Sequence, residues 1–270
     1  MPTGDLVLAS DAYLAMRVGS WAKQKLYYIQ RYCDIFNKAM KARWETRVYI
    51  DLFAGAGKCI VEETREEIDG SALTALKSEV PFTHYFFNDA EAEAMGALKE
   101  RAKLFPLAEV TFFNLDCNQV IEPLLIELPP NALTFCFVDP FNWKIGFTSI
   151  EKLTKDRRID LAITFHSGSM KRVADNAPQD LNDFFGGSGW QQEYRAALSA
   201  GQRQSSRGLM DIYESRLRSL GYLQFQDYVL IRNTQRIPLY HILFASKHHR
   251  GKDFWDKISK RTTSGQERML

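Results

Sequence analysis

The sequence predicts an α/β fold: a doubly wound, mostly parallel sheet with an antiparallel edge hairpin. Three observations carry that expectation. From residue 47 onward, short apolar runs alternate with amphipathic stretches, the rhythm of a parallel sheet covered by helices on both faces. The first of those runs ends in a glycine-rich turn, Gly55-Ala-Gly57, at the end of a strand where such sheets bind ligands. The last third then breaks the rhythm with two strand-like runs joined by residues 233–238, which reads as a hairpin on the sheet edge.

Taken in order, the elements begin with an N-terminal helix over 20–42, because Leu26, Ile29, Cys33, Phe36 and Met40 recur at three- and four-residue spacing. Arg47–Asp51 is a short buried strand entering the glycine turn. Residues 58–69 mix charges with β-branched residues and predict a hairpin-like insertion instead of an immediate helix. Gly70-Ser71 is then the stop and N-cap before a helix over 72–78. Strands follow at 84–88, 110–115, 133–138 and 159–165, with helices at 90–104, 118–128 and 147–155. Residues 168–203 carry the least pattern, and their Gly186–Gly189 run predicts a mobile turn within a lid. A helix over 206–220 closed by Gly221, and strands over 224–232 and 239–245, complete the reading. One domain over 1–270 is expected. It comprises the helix 20–42, a cofactor-binding half 47–166, a lid or insertion 167–205, and a C-terminal part 206–270 with a helix, the edge strands and a further helix.

Composition narrows the functional classes. With 270 residues, 45% of them hydrophobic and 25% charged, the chain suits one large domain. A formal net charge of +2 imposes no field that demands nucleic acid or an acidic membrane, while leaving room for a local basic face. Cys33, Cys59, Cys117 and Cys136 include no CxxC pair, so no zinc or iron–sulfur framework is expected, and reduced thiols point to a cytoplasmic protein. Neither a secretory leader nor a membrane-spanning run is expected from the pattern.

The glycine turn discriminates among cofactors. A nucleotide phosphate loop needs GxxxxGK[ST], and here Leu52 and Cys59 stand at required positions. A dinucleotide fingerprint needs a third glycine, and Ile60 occupies its place. S-adenosylmethionine (SAM) carries a sulfonium and an amino-acid group in place of a pyrophosphate, and suits a turn with an acid at its base. The loop Asp51-Leu52-Phe53-Ala54-Gly55-Ala56-Gly57 meets that need. Further polar residues fall at successive strand tips: Asn88 and Asp89 for the ribose, Asp116 with Cys117 for the adenine amine, and Asp139 facing the transferred methyl. Any one of them alone reads equally as a helix cap.

Four strings, YIDLFAGAGK (49–58), DGSALTAL (69–76), FND (87–89) and FVDPF (137–141), together resemble the three-Cys-motif partner protein family, over a stretch from about Lys25–Tyr32 through 160–172. That resemblance implies a SAM-methyltransferase-like fold in a bacterial or viral protein, working with a partner that carries a three-cysteine motif of the radical-SAM kind. The family's usual Gly-Ser-Pro-Leu stands here as Gly70-Ser71-Ala72-Leu73, a change that suits a helix start equally well.

Asp139-Pro140-Phe141, with Trp143, is similar to the Asp-Pro-Pro-aromatic motif of enzymes that methylate exocyclic amines of nucleobases. In that chemistry Asp139 accepts the amine N–H, the Pro140 carbonyl assists, and Phe141 or Trp143 stacks on a base flipped into the pocket. This chain has a single proline, and packing under the next helix is the favoured reading of both aromatics. Ser167–Ser169 with His166 could line the pocket mouth, with Lys171 and Arg172 near for a phosphate; the basic run 247–252 is a second candidate for nucleic-acid contact or a solvated turn. The expected function is a SAM-binding methyltransferase-like protein, with nucleic acid as one substrate class. The alternative is a non-catalytic or partner-dependent binding module.

Overall fold

The computed structural model describes residues 5–199, 205–225 and 229–260. The chain opens with a hairpin that the hydrophobic pattern does not announce, β1 (Leu6–Leu8) and β2 (Leu14–Val18). Helix α1 (Ala22–Met40) follows and buries the expected stripe, with Leu26, Ile29, Cys33, Phe36 and Met40 inside. Strand β3 (Arg47–Asp51) is buried at all five positions. The charged stretch after the glycine turn is a hairpin as expected, β4 (Lys58–Val61) and β5 (Glu67–Asp69). Strand β2 pairs in parallel with β4, so the two hairpins form one four-stranded sheet, β1-β2-β4-β5.

The alternating part runs α2 (Ser71–Leu76), β6 (His84–Asn88), α3 (Ala92–Ala102), β7 (Glu109–Phe113), α4 (Ile121–Glu127), β8 (Leu133–Val138), α5 (Phe147–Thr154) and β9 (Arg158–Phe165). Next come α6 (Ser167–Asn176), a 3₁₀ turn, α7 (Asn182–Phe185), α8 (Trp190–Ser199) and α9 (Ser205–Ser219). Gly186 ends α7 in a left-handed conformation, φ 76°, where glycine is at its least strained. The flanking Phe184 and Phe185 are fully buried against Phe165 and Tyr213, and the buried Trp190 stacks on Phe185, so this turn sits between helices anchored in the core. Within the expected lid, residues 200–204 lie outside the described residues.

The strand expected over 224–232 is two strands, β10 (Gln224–Phe225) and β11 (Val229–Arg232), with 226–228 outside the described residues. Strand β12 (Pro238–Ser246) pairs antiparallel with both and also with β9, and helix α10 (His249–Ser259) follows. The main sheet has the order β10-β12-β9-β8-β3-β6-β7, with β11 also on β12. Strands β3, β6, β7, β8 and β9 are parallel. The antiparallel element is therefore β12, inserted one place inside the edge.

Two apolar layers sandwich this sheet, because parallel strands covered on both faces are apolar on both. One contains Ile50, Cys136, Val138 and Ile163 under α4–α9. The other contains Tyr32, Phe36, Tyr49, Phe135 and Phe137 under α1, α2 and α10. Phe135 lies at its centre, with ring centroids 4.6 Å from Tyr32 and 5.8 Å from Tyr49. Replacing Phe135 by alanine leaves a cavity among rings fixed by α1 and β3. Denaturant unfolding should show a loss of about 3–5 kcal/mol with an unchanged m-value; a loss under about 1 kcal/mol would refute a rigid aromatic layer.

Candidate functional site

The chain leaves β3 toward β6 on one side of the sheet and returns through β8 on the other, so the strand order switches between β3 and β8. Crevices outside the carboxyl ends at such a point are where open α/β sheets bind ligands. Asp51 ends β3 and Asp139 directly follows β8, so the switch point brings these two acids together.

Asp51 is fully buried. Its carboxylate accepts the Phe53 N–H at 3.1 Å and the Tyr49 hydroxyl at 3.3 Å, and interacts with the Ser71 side chain. Burial pushes its pKa up to about 7 against those hydrogen bonds, and the charges of Asp139 and Asp89 push the same way. Asp51 thus shapes the loop from beneath.

The glycines serve the loop's own packing. Gly55 and Gly57 have φ of +59° and +84°. A Cβ on Gly57 would stand 2.8 Å from Leu98, and one on Gly55 3.3 Å from Met16 of β2. Arg101 of α3 fixes the same loop: it is 3% exposed, donates to the Ala56 and Leu14 carbonyls at 2.6 Å each, and grips Asp11 with two nitrogens at 2.9 and 2.8 Å. The stripe Ala94, Leu98, Arg101 on α3 was the sequence signal for it.

Phe53 is half-buried against the core. Asn88 is buried, with both amide hydrogens donated to the Leu52 and Leu115 carbonyls and its oxygen accepting the Leu115 N–H. It ties the loops after β3, β6 and β7 together. Asp89 is half-buried; one oxygen accepts Gly55 N–H at 2.8 Å and the other Glu91 N–H at 2.9 Å, and burial raises its pKa. Its remaining lone pairs are available to a ligand. Asp116 is exposed, lies three residues beyond the end of β7, and accepts the Asn118 N–H. Cys117 points into the core, its thiol pushed up to about 12 by burial and by Asp116.

At the other side of the switch, Asp139 forms an ion pair with Lys25 of α1. The Lys25 ammonium also lies 5.6 Å from the Tyr240 ring centre and 6.0 Å from that of Phe137. Burial favours its neutral form, yet the Asp139 charge prevails and raises its pKa. The Pro140 carbonyl accepts the His166 Nε2–H at 2.5 Å, which fixes the His166 tautomer; burial lowers the pKa of this imidazole. Phe141 is 56% exposed, whereas Trp143 packs on the core. Asn118 holds the loop between them and α5, binding the Lys144 carbonyl, Gly146 N–H and Ser149 hydroxyl. Tyr240 is buried, and its hydroxyl has no hydrogen-bond partner among the described residues. Lys25 shares the apolar stripe of Tyr28, Ile29 and Tyr32, and a lysine in that stripe is the signal that marks it.

Of the remaining candidates, Ser167 bonds His241 at 2.7 Å. In the basic run, Lys247 donates to the Thr154 carbonyl and His248 caps α10 through Arg250 N–H, so both serve the fold. No described helix is long and apolar enough to cross a membrane.

No protein-family model matches the chain, and no curated protein matches it in sequence. Solved structures do match in shape. Trm1 from Pyrococcus horikoshii, determined in complex with S-adenosyl-L-methionine, aligns over 96% of this chain with a TM-score of 0.53 at 11% identity. This chain spans 62% of that one. The protein LPL1258 from Legionella pneumophila aligns over 90% of this chain and 94% of its own, with a TM-score of 0.52 at 9% identity. The fold is that of the class I SAM-dependent methyltransferases, a mostly parallel sheet with an antiparallel strand near one edge.

The raised pKa of Asp51 has a consequence for stability. An unfolded aspartate ionises near pH 3.8, so between there and about 7 the folded chain holds the extra proton. Stability from this group is full below the lower value and is lost as pH rises through the upper one, at up to about 1.4 kcal/mol per unit. Asp51→Asn should flatten this part of the stability–pH curve between about pH 4 and 7. Parallel curves for the two proteins would show that Asp51 titrates normally.

Proposed function

We propose that this chain is a SAM-dependent methyltransferase whose acceptor group faces Asp139, Pro140 and Phe141. The observation that carries the reading is the meeting of Asp51 and Asp139 at the switch point of a methyltransferase fold. The group fits the residues present. The ammonium of SAM suits a crevice set with Asp51 and Asp89, and its hydroxyls suit the free lone pairs of Asp89. SAM would supply the methyl group; the protein's part is to bind, orient and exclude water.

In this reading Asp51 and Asn88 hold the loops in shape, the backbone 53–57 and Asp89 take the cofactor, and Asp116 with Cys117 borders the adenine end. Asp139 accepts a proton-bearing nitrogen of the acceptor, and the exposed Phe141 ring offers a stacking platform. An exposed ring beside a carboxylate suits a nucleobase, which makes nucleic acid the substrate class we favour.

A second reading rests on the same end of the site. Lys25 already occupies Asp139 and His166 already occupies the Pro140 carbonyl. A chain whose acceptor-binding groups are engaged internally suits a module that works only with its partner. The motifs 49–58, 69–76 and 137–141 support the three-Cys-motif partner family for that role, the partner being a radical-SAM-like protein. Co-purification with such a protein, together with methyl transfer only in its presence, is the outcome that favours this reading.

Calorimetry with SAM tests the first step. Micromolar binding is expected, weakened at least about tenfold in Asp51→Ala. Because a cation favours ionised Asp51, binding should weaken as pH falls below about 7, by up to about tenfold per unit, with proton release. A folded protein that shows no binding at any pH would remove SAM from the account.

A further inference from the structure

We propose that Lys25 sets the charge preference of the site: by closing an ion pair with Asp139, it makes the pocket hold SAM and the neutral S-adenosylhomocysteine about equally. The inference rests on the cofactor reading above and concerns the end of the crevice where the methyl group would lie.

A carboxylate at the carboxyl end of β8 is a natural counter-ion for a sulfonium. Here the protein supplies its own cation. Helix α1 carries Lys25 to Asp139, and the neighbouring Leu26 and Ile29 are buried, so the helix is fixed against the sheet. Lys25 and Asp139 side chains are 16% and 20% exposed, which leaves the pair little screening by water. Two aromatic rings, Phe137 and Tyr240, border the ammonium. Among the other groups facing the pair, burial disfavours the protonated form of His166 and pushes the Cys59 thiol up to about 11, and the Tyr240 hydroxyl is a neutral dipole, while Asp51 adds an anion suited to the ammonium that both ligands share.

With the pair intact, an incoming sulfonium meets a neutral ion pair and gains little over its demethylated product. Loss of either partner leaves the other as an uncompensated charge. Removal of Lys25 exposes an anion that attracts the sulfonium, whereas neutralising Asp139 exposes a cation that repels it. At separations of a few ångströms and an effective dielectric near 20, such a charge is worth about tenfold to a hundredfold in binding. A site built this way responds to the proportion of cofactor to product, and the product competes on even terms.

Calorimetry with SAM and S-adenosylhomocysteine at about pH 8, where Asp51 is ionised, tests this in four proteins. The wild type should bind the two within about threefold of each other. Lys25→Met should raise the ratio of SAM to product affinity at least about tenfold, and Asp139→Asn should lower it by a similar factor. The double variant should return to within about threefold of the wild type. A lysine serving only to hold the helix would not shift the ratio in opposite directions. Should Lys25→Met fail to fold, Asp139→Asn and Lys25→Arg decide, the latter keeping the wild-type ratio. A ratio unmoved in folded single variants overturns the inference alone, whereas a wild type that binds neither ligand overturns the cofactor reading and the inference with it.

Discussion

The shape of the glycine loop depends on one buried guanidinium. Arg101 binds the carbonyl of Ala56 inside the loop, the carbonyls of Tyr13 and Leu14 in the N-terminal hairpin, and the carboxylate of Asp11. Asp11 is held well below the usual carboxylate range by that contact, which offsets the cost of burying it. The small sheet, α3 and the loop are thereby fastened at one point. Gly55 and Gly57 can then adopt left-handed backbone conformations without open space around them. The loop is pre-shaped by the protein, so a ligand need not spend binding energy ordering it.

The other side of the crevice is organised by opposite means. There the polar groups of the Asp139-Pro140-Phe141 segment are taken by Lys25 and His166, and Asn118 secures the chain that follows. Only Phe141 is turned outward. One half of the site is a rigid backbone frame and the other a set of paired side chains, and only the second can be altered by a ligand without moving the main chain.

The fold was legible because its strands are short, apolar and separated by turn residues: His84–Asn88 and Leu133–Val138 have the bounds expected of them. The N-terminal hairpin was not, because three- and five-residue strands with mixed burial leave no periodic trace. The interval 168–199 was opaque for a different reason. Its helices are short and anchor through single aromatics such as Phe184 and Trp190, so no stripe develops. At the site, strand-end acids could be located but their duties could not. Asp51, Asn88, Asp89 and Asp116 are all short polar side chains at strand ends, yet Asn88 donates to the carbonyls of two loops and Asp116 sits in a local turn. The ion pair of Lys25 and Asp139 joins residues 114 positions apart, a separation that no local pattern encodes.

Strand β12 also fixes an order of assembly. Among the described residues, strands β10 and β11 join the sheet only through it, although both precede it in the chain. On the ribosome they emerge with no strand to receive them, and the apolar β9 waits meanwhile with one edge bare. The folding chain therefore carries an open, apolar sheet margin at β9 until β12 pairs with it, and an unpaired edge of that kind is a template for aggregation.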